Sequence, residues 1–158
     1  MSEADFSIQK WLDAMKTAIN ELLRNTLNHE GCEIASRQYD LPWRNTLGAY
    51  VPLVGKDYSL QLGLVSTPDG CHTIARSLLT RPPHELITEE DMADAIREVV
   101  NIVAGSTKKR VEGDVPKSTL GLPLFINGHI QITKEQQAGS EMIKIGDVTA
   151  YLMVVRQR

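Results

Sequence analysis

Apolar side chains recur with a regular period along the first thirty residues of the chain. The apolar side chains recur at steps of three and four residues, which is the period of an amphipathic α-helix. The pattern predicts one long helix within about residues 6–30, and Gly31 is expected to end it. The positions expected to face the core are Ile8, Trp11, Leu12, Met15, Ala18, Ile19, Leu22 and Leu23.

Two apolar, β-rich segments follow at residues 47–54 and 58–65. A three-residue turn that begins with Gly55 separates them. Short segments of this kind, joined by a turn that contains glycine, are typical of a β-hairpin. Pro52 has no N–H to donate to a neighbouring strand, so its strand is expected at a sheet edge or a bulge.

Two helices are predicted in the middle of the chain. Residues 71–79 form a short helix that Pro82 and Pro83 stop, because a proline ring forbids continuation. The second helix spans about residues 89–111 and starts after Thr88, a good N-cap. Acidic residues follow the cap and basic residues crowd the other end, as the helix dipole favours. They are Glu89, Glu90 and Asp91, and Lys108, Lys109 and Arg110.

The pattern returns to strands beyond Gly113. Turn signals at 127–128 and 146–147 separate the predicted strands into pairs. The strands are residues 120–126, 129–133, 142–145 and 148–156. Helices at the front and middle, with hairpins between and after them, indicate an α+β fold with helices layered on a mostly antiparallel sheet. No linker interrupts the pattern, so residues 1–158 are expected to form a single domain.

Composition agrees with a folded protein and argues against several functional classes. The 158 residues suffice for a hydrophobic core, and 42% of them are apolar and 23% charged, close to the globular average. A formal net charge of -3 offers no broad basic field for nucleic acid. No signal peptide and no run of membrane-spanning length is apparent. We therefore expect a cytoplasmic protein with neither nucleic acid nor membrane as a partner.

The cysteines and histidines show no metal-ligand spacing. Cys32 and Cys71 are far apart in the sequence, which favours free thiols in a reducing compartment. Cys71 and His72 are adjacent, with His84 beyond them, but adjacent residues on a regular element point in different directions. No metal site is therefore expected in this chain.

The predicted helix over residues 89–111 has two faces of different character. On a wheel drawn at about 100° per residue, five apolar side chains fall within one arc that should face the core. They are Met92, Ile96, Val99, Val100 and Val103. On the opposite arc four residues stack at spacings of four, three and four. These four residues, called here the outer stripe, are Asp94, Glu98, Asn101 and Gly105.

Two members of the outer stripe are unfavourable in a helix. Asn is a mediocre helix former, and Gly costs about 1 kcal/mol relative to Ala in a helix interior. Gly105, one turn beyond Asn101, leaves a bare patch where another chain can approach, and the amide offers both a donor and an acceptor. The stripe indicates a docking surface, but the residues alone also allow a solvating role for Glu98 and a packing role for Gly105.

Residues 98–105, Glu-Val-Val-Asn-Ile-Val-Ala-Gly, resemble the signature helix of the CheX, CheC and FliY phosphatases of bacterial chemotaxis. The Glu-x-x-Asn part carries the resemblance, and its single copy is more similar to CheX than to CheC. Residues 50–66 resemble the first hairpin of the family, and residues 120–131 resemble the strand pair after the signature helix. The resemblance covers the region between residues 47 and 155.

The resemblance implies an activity and roles for named residues. It implies a hydrolase that acts on the aspartyl phosphate of a CheY-like response regulator, with Asn101 orienting the attacking water and Glu98 pairing with the regulator's lysine. Asp94, Asp91 and Gly105 would serve partner docking. The Mg²⁺ would be bound by the regulator, so no cofactor of its own is expected. CheX proteins are typically dimers, which implies a homodimer.

Two other functions remain compatible with the sequence. The outer stripe would also serve a CheX-like binding module without catalysis, which docks to response regulators or to flagellar switch components. A small-molecule enzyme has less support, because no Ser-His-Asp arrangement, Gly-rich phosphate loop or pair of catalytic carboxylates can be picked out. A rate assay separates phosphatase from binding module, since a binding module does not shorten the lifetime of the phosphoryl group.

Overall fold

The computed structural model describes residues 7–27, 30–38, 46–82 and 84–157. Within these ranges three helices pack on one face of a seven-stranded sheet. The helices are α1 (Ile8–Asn25), α2 (Pro68–Leu78) and α3 (Glu89–Glu112). The strands are β1 (Glu33–Gln38), β2 (Thr46–Gly55), β3 (Ser59–Ser66), β4 (Ser118–Leu120), β5 (Leu124–Gly128), β6 (Gln136–Ile145) and β7 (Val148–Gln157). The predicted α+β class is confirmed.

The strands are arranged in the order β1-β6-β7-β3-β2, with β4 and β5 both on the far side of β2. Every described pair is antiparallel. The predicted hairpin of β2 and β3 is confirmed, as is the turn between β6 and β7. Gly146 in that turn has a φ of +60°, a conformation that glycine adopts without strain. β6 begins at Gln136, six residues before the predicted strand.

The helix boundaries differ from the predicted ones by more than one residue at three ends. α1 begins after Ser7, whose Oγ accepts a hydrogen bond from the backbone N of Lys10 at 3.2 Å. It ends at Asn25, before Gly31 is reached. α2 begins at Pro68, three residues earlier than predicted, because Thr67 caps it and proline is compatible with a first helical turn. Phe6 and Pro83, which entered the predictions, lie outside the described residues.

The core lies between the three helices and one face of the sheet. All eight predicted core positions of α1 are buried, with Trp11 and Leu12 at 0% exposure. The sheet contributes alternate side chains of its central strands, among them Leu53, Leu62 and Leu152. Full burial of a large apolar side chain contributes about 1.5–3 kcal/mol, so this core fixes how the helices lie on the sheet.

Pro52 does not lie on an edge strand, and the second predicted setting, an irregularity of the ladder, is the one observed, since residues 51–52 of β2 face three residues, 121–123. β2 pairs with β3 on one side and with β4 and β5 on the other, and these two short strands replace the single strand predicted over 120–126. Pro52 faces residues 121–123 between them, and its carbonyl accepts a hydrogen bond from Gly121 N at 2.8 Å. The backbone N and O of one residue point to the same side of a strand. The position where Pro52 lacks an N–H therefore faces the gap between β4 and β5, and no hydrogen bond to β3 is lost.

The segment between β5 and β6 corrects a second prediction. Residues 129–133 do not form the predicted strand, because β5 ends at Gly128 and β6 begins at Gln136. β2, β3 and β7 lie between β5 and β6, so the segment crosses the sheet, on the face without helices. Ile130 and Ile132 pack there on a second apolar cluster. The buried members of this cluster are Val65, Ala138, Met153 and Val155.

One strand was not predicted at all. β1 pairs with β6 at the opposite edge of the sheet, although its sequence, Glu-Ile-Ala-Ser-Arg-Gln, has little apolar content. Its pairing shifts between Ile34 and Ser36, so the ladder itself is irregular. None of the described helices is long and apolar enough to cross a membrane.

Candidate functional site

α3 carries the candidate site and forms where the sequence predicts it. The side chain of Thr88 accepts a hydrogen bond from Asp91 N at 3.0 Å, which satisfies one of the free N–H groups of the first turn. Gly113, with a φ of +74°, ends the helix. The apolar arc faces the core as predicted. Its buried residues are Met92, Ala95, Ile96, Val99, Val100, Val103, Ala104 and Thr107.

The outer stripe lies on the face of α3 away from this arc. Asp94 and Glu98 are exposed, and Asn101 and Gly105 are half-buried. Residues three positions apart on a helix have Cβ atoms about 5–6 Å from each other, so the carboxylate and the amide can contact one partner together. Asp91 lies about two turns before Glu98 and on a similar bearing of the helix, which adds a third carboxylate to this side.

The polar groups of the stripe differ in their bonding. Asp94 accepts a hydrogen bond from the Nη2 of Arg97, so its charge is paired within the helix. The side chains of Glu98 and Asn101 form no hydrogen bond or ion pair with any of the described residues. An amide that is half-buried and unbonded retains its full capacity to bind an incoming group.

Gly105 ends the open part of the stripe. A Cβ placed on it would lie 3.8 Å from Cδ1 of Leu120, an ordinary van der Waals distance. Leu120 belongs to β4 and packs on the core beside α3. The bare patch that the sequence predicts is therefore present, and β4 borders it on one side.

A cluster of hydrogen bonds around Glu112 fixes β4 against the end of α3. The Glu112 side chain is only 2% exposed and accepts hydrogen bonds from Tyr58 Oη at 2.9 Å, from Lys117 N at 3.0 Å and from Ser118 Oγ. Lys108 Nζ lies 3.1 Å from its Oε2. Burial, the largest influence, raises the pKa of Glu112, but the four donors together lower it below its ordinary value.

Sequence reasoning missed the role of Glu112. The sequence did contain one indication. A carboxylate in the last turn of a helix is disfavoured by the helix dipole, so nearby hydrogen-bond donors or cations must stabilise it. Its partners come from Tyr58, far away in sequence, and from the strand after the helix. These distant contacts could not be read from a helical wheel.

Cys71 and His72 form local contacts within the fold. Cys71 is buried, its Sγ donates to Leu47 O at 3.3 Å, and burial raises the pKa of its thiol to about 12. The ring of His72 places Nδ1 2.7 Å from Pro68 O and Nε2 2.9 Å from Oε1 of Glu89. Cys32 and Cys71 are free thiols. Among the described residues, no group of three or more His, Cys, Asp or Glu side chains could hold a metal ion.

Comparison with known families gives one match. The model of the family described as chemotaxis phosphatase CheX matches residues 48–146, which include α3, the outer stripe, most of β2, and β3 to β6. No curated protein matches the sequence.

Solved structures share the fold at low sequence identity. A CheC-like superfamily protein from Shewanella sp. PV-4 superimposes with a TM-score of 0.78 and 16% identity, over 94% of this chain and 98% of that one. The chemotaxis protein CheX from Vibrio vulnificus superimposes with a TM-score of 0.76 and 14% identity, over 94% of this chain and 99% of that one. A chain of the CheX–CheY–BeF3–Mg²⁺ complex from Borrelia burgdorferi superimposes with a TM-score of 0.72 and 18% identity, over 96% of this chain and 97% of that one. At these identities the likeness is one of fold.

Proposed function

Since the chain belongs to the CheX family of chemotaxis phosphatases, we propose that it hydrolyses the aspartyl phosphate of a CheY-like response regulator. In this proposal Asn101 positions the attacking water and Glu98 pairs with the lysine beside the regulator's phosphoaspartate. The Mg²⁺ belongs to the regulator, so this chain supplies polar side chains and no metal.

One observation carries the proposal. Glu98 and Asn101 lie one turn apart on the outward face of a rigid helix, and neither side chain has a bonding partner among the described residues. An unbonded carboxylate beside an unbonded amide is suited to a partner that presents a cation and a reactive phosphoryl group together. Such a pair of groups surrounds a phosphorylated aspartate in a response regulator.

The amide of Asn101 matches the demands of acyl phosphate hydrolysis. Phosphoryl transfer needs little covalent help, so catalysis consists mainly of placing a water in line with the leaving oxygen. An amide holds a water as donor and acceptor without adding negative charge that would repel the phosphoryl oxygens. A carboxylate at this position would hold the water but would also repel the phosphoryl group.

Glu98 has a different task in the proposal. A carboxylate that accepts a hydrogen bond from a lysine forms a shorter and stronger bond than a neutral pair. With the core fixing α3, this ion pair sets the register in which Asn101 enters the regulator's site. Asp91 adds negative charge on the same side, which favours encounter with a basic partner surface and weakens with added salt, whereas Arg97 offsets the charge of Asp94, which remains available as an acceptor for docking.

The test is the rate of phosphate loss from phosphorylated response regulators of the same organism, measured with and without the purified chain. The intact chain should accelerate phosphate loss from at least one regulator. Asn101→Ala should fold normally and lose roughly 10²-fold or more of that acceleration, as when one positioned polar group is removed from an active site. Asn25→Ala, an exposed amide on α1, is the matched control and should keep the full rate.

Two results would contradict the proposal. If Asn101→Ala dephosphorylates its regulator at the original rate, the role assigned to the amide is wrong. If the intact chain binds a phosphorylated regulator but leaves the lifetime of the phosphoryl group unchanged, the chain is a binding module and not a phosphatase.

A further inference from the structure

Ile102, an apolar residue of α3, lies next to the outer stripe. Ile102 is 38% exposed and lies outside the buried arc of α3. It is four residues after Glu98 and three before Gly105, so its position neighbours both on the helix surface. Its neighbours on that side are polar or lack a side chain, so the fold does not require an isoleucine there.

A second apolar side chain, that of Leu120, lies beside Gly105. Leu120 lies 3.8 Å from the point where a Cβ of Gly105 would be. Ile102 and Leu120 therefore border a patch of bare helix backbone. We call Ile102, Gly105 and Leu120 the apolar notch.

Any partner that reaches Asn101 must also cover the notch. Ile102 adjoins Asn101, and Gly105 lies about 6 Å further along the helix axis. A standard protein interface buries about 800 Å² on each partner, which corresponds to a disc of about 16 Å radius. An interface centred on Asn101 therefore includes the notch, and under the proposed function its occupant is the response regulator.

We propose that the apolar notch receives one aliphatic side chain of the response regulator, next to its phosphorylation site, and that this contact selects the regulator. This inference rests on the proposed function. Interfaces gain most of their affinity from a few residues in well-packed, desolvated pockets, and the notch is the apolar part of a surface that is otherwise polar. Asn101 then acts on the rate, whereas Ile102 and Leu120 act on affinity and on the choice of partner.

The first test compares binding by Ile102→Gln and Val54→Gln. The probe is the receiver domain of the regulator, held in its activated form by beryllofluoride and Mg²⁺. Gln removes the apolar surface without adding charge and is a good helix former. Val54 is 54% exposed and follows the inward-facing Leu53, so it lies on the opposite face of the sheet. Ile102→Gln should raise Kd roughly tenfold, and Val54→Gln should leave it unchanged.

A second variant, Gly105→Ala, separates an effect on binding from an effect on folding. Gly105→Ala places a methyl group in the notch at ordinary contact distance from Leu120, so the fold accepts it. Alanine also favours the helix over glycine. The variant should therefore raise the unfolding temperature and still weaken binding of the receiver domain. A purely structural role for Gly105 predicts the first effect without the second.

The outcomes separate this inference from the proposed function. If the intact chain dephosphorylates a regulator and Ile102→Gln and Gly105→Ala bind its receiver domain as tightly as the intact chain, the notch is not a docking site and the phosphatase proposal stands. If both variants weaken binding while kcat at saturation stays unchanged, the inference is supported. If no receiver domain binds the intact chain, the inference is overturned, and the turnover assay decides the proposed function by itself.

Discussion

At the scale of single residues, the candidate site combines two side chains of similar size and unlike charge. Glu98 is exposed and carries a full negative charge, and Asn101 is half-buried and neutral. A charged group attracts a cation over a long range that added salt shortens. A neutral amide can form hydrogen bonds close to phosphoryl oxygens without repelling them. If the proposed roles are right, exchanging the two types would remove both of them with little change in the size of the site.

Glu98→Gln tests the role of the charge. The change keeps the size of the side chain and its acceptor, but the bond to a lysine loses its charge assistance. We expect KM for the phosphorylated regulator to rise roughly tenfold, with kcat little changed, since charged hydrogen bonds are worth about 1.5–3 kcal/mol against about 1 for neutral ones. Glu135→Gln removes an equal charge from the segment on the opposite sheet face and should leave KM unchanged. A fall in kcat alone would argue against a docking role.

At the scale of elements, the position of β4 beside α3 depends on a buried carboxylate. Glu112 is in the last turn of α3, where the helix dipole disfavours negative charge. Its four donors come from three places: Tyr58 before β3, Lys108 on α3, and Lys117 and Ser118 at the start of β4. The Glu112 cluster therefore holds Leu120 near Gly105.

Glu112→Gln should destabilise the fold in a pH-dependent way. The amide has one acceptor oxygen and turns its NH2 group towards donors, so the free energy of unfolding should fall by about 1–3 kcal/mol at neutral pH. The pKa of Glu112 is lowered in the folded state, so its stabilisation is present above the ordinary Glu pKa near 4.3 and is lost as pH falls through the folded value.

Urea unfolding of the intact chain and the Glu112→Gln variant between pH 7 and pH 3 measures this difference. The two curves should differ most at neutral pH and converge below the ordinary pKa of a glutamate. Glu90→Gln changes an exposed carboxylate of the first turn of α3 and serves as the control. A difference that stays constant over this range would show that the ionised state of Glu112 is unimportant.

At the scale of the whole molecule, the sheet separates the candidate site from a second apolar layer. Three helices cover one face, and the chain between β5 and β6 crosses the other face with Ile130 and Ile132 packed on the second cluster. The crossing connects the β5 edge to strands on the far side of β3. It therefore contributes to stability without approaching the outer stripe.

Ile132→Ala should weaken the fold and spare the site. Removal of a half-buried aliphatic side chain should lower the free energy of unfolding by about 1–2 kcal/mol. The turnover of phosphorylated regulator per folded molecule should stay unchanged, because α3 lies on the opposite face. Urea unfolding and the phosphatase assay measure the two quantities. Leu86→Ala changes a 91% exposed side chain and should alter stability by less than about 0.5 kcal/mol. Equal effects of the two variants would show that the crossing chain adds nothing.

The sequence by itself determined what depends on near neighbours. α3, its capping residue Thr88 and the two faces of the helix follow from a period of 3.6 residues and from local charge. Glu98 and Asn101 were therefore found together, because three residues of helix place them on one face. The β2–β3 and β6–β7 hairpins were found for the same reason, since a short turn brings adjacent segments together.

Only the tertiary structure decided which distant segments meet. The division into β4 and β5, the gap opposite Pro52 and the crossing of residues 129–135 depend on pairings across the whole chain. An alternating pattern such as Ile130 and Ile132 suits a strand and a covering segment equally well. The Glu112 cluster and the contact of Leu120 with Gly105 join residues that no local period relates. Their positions follow from the packing of elements, which a one-dimensional pattern does not specify.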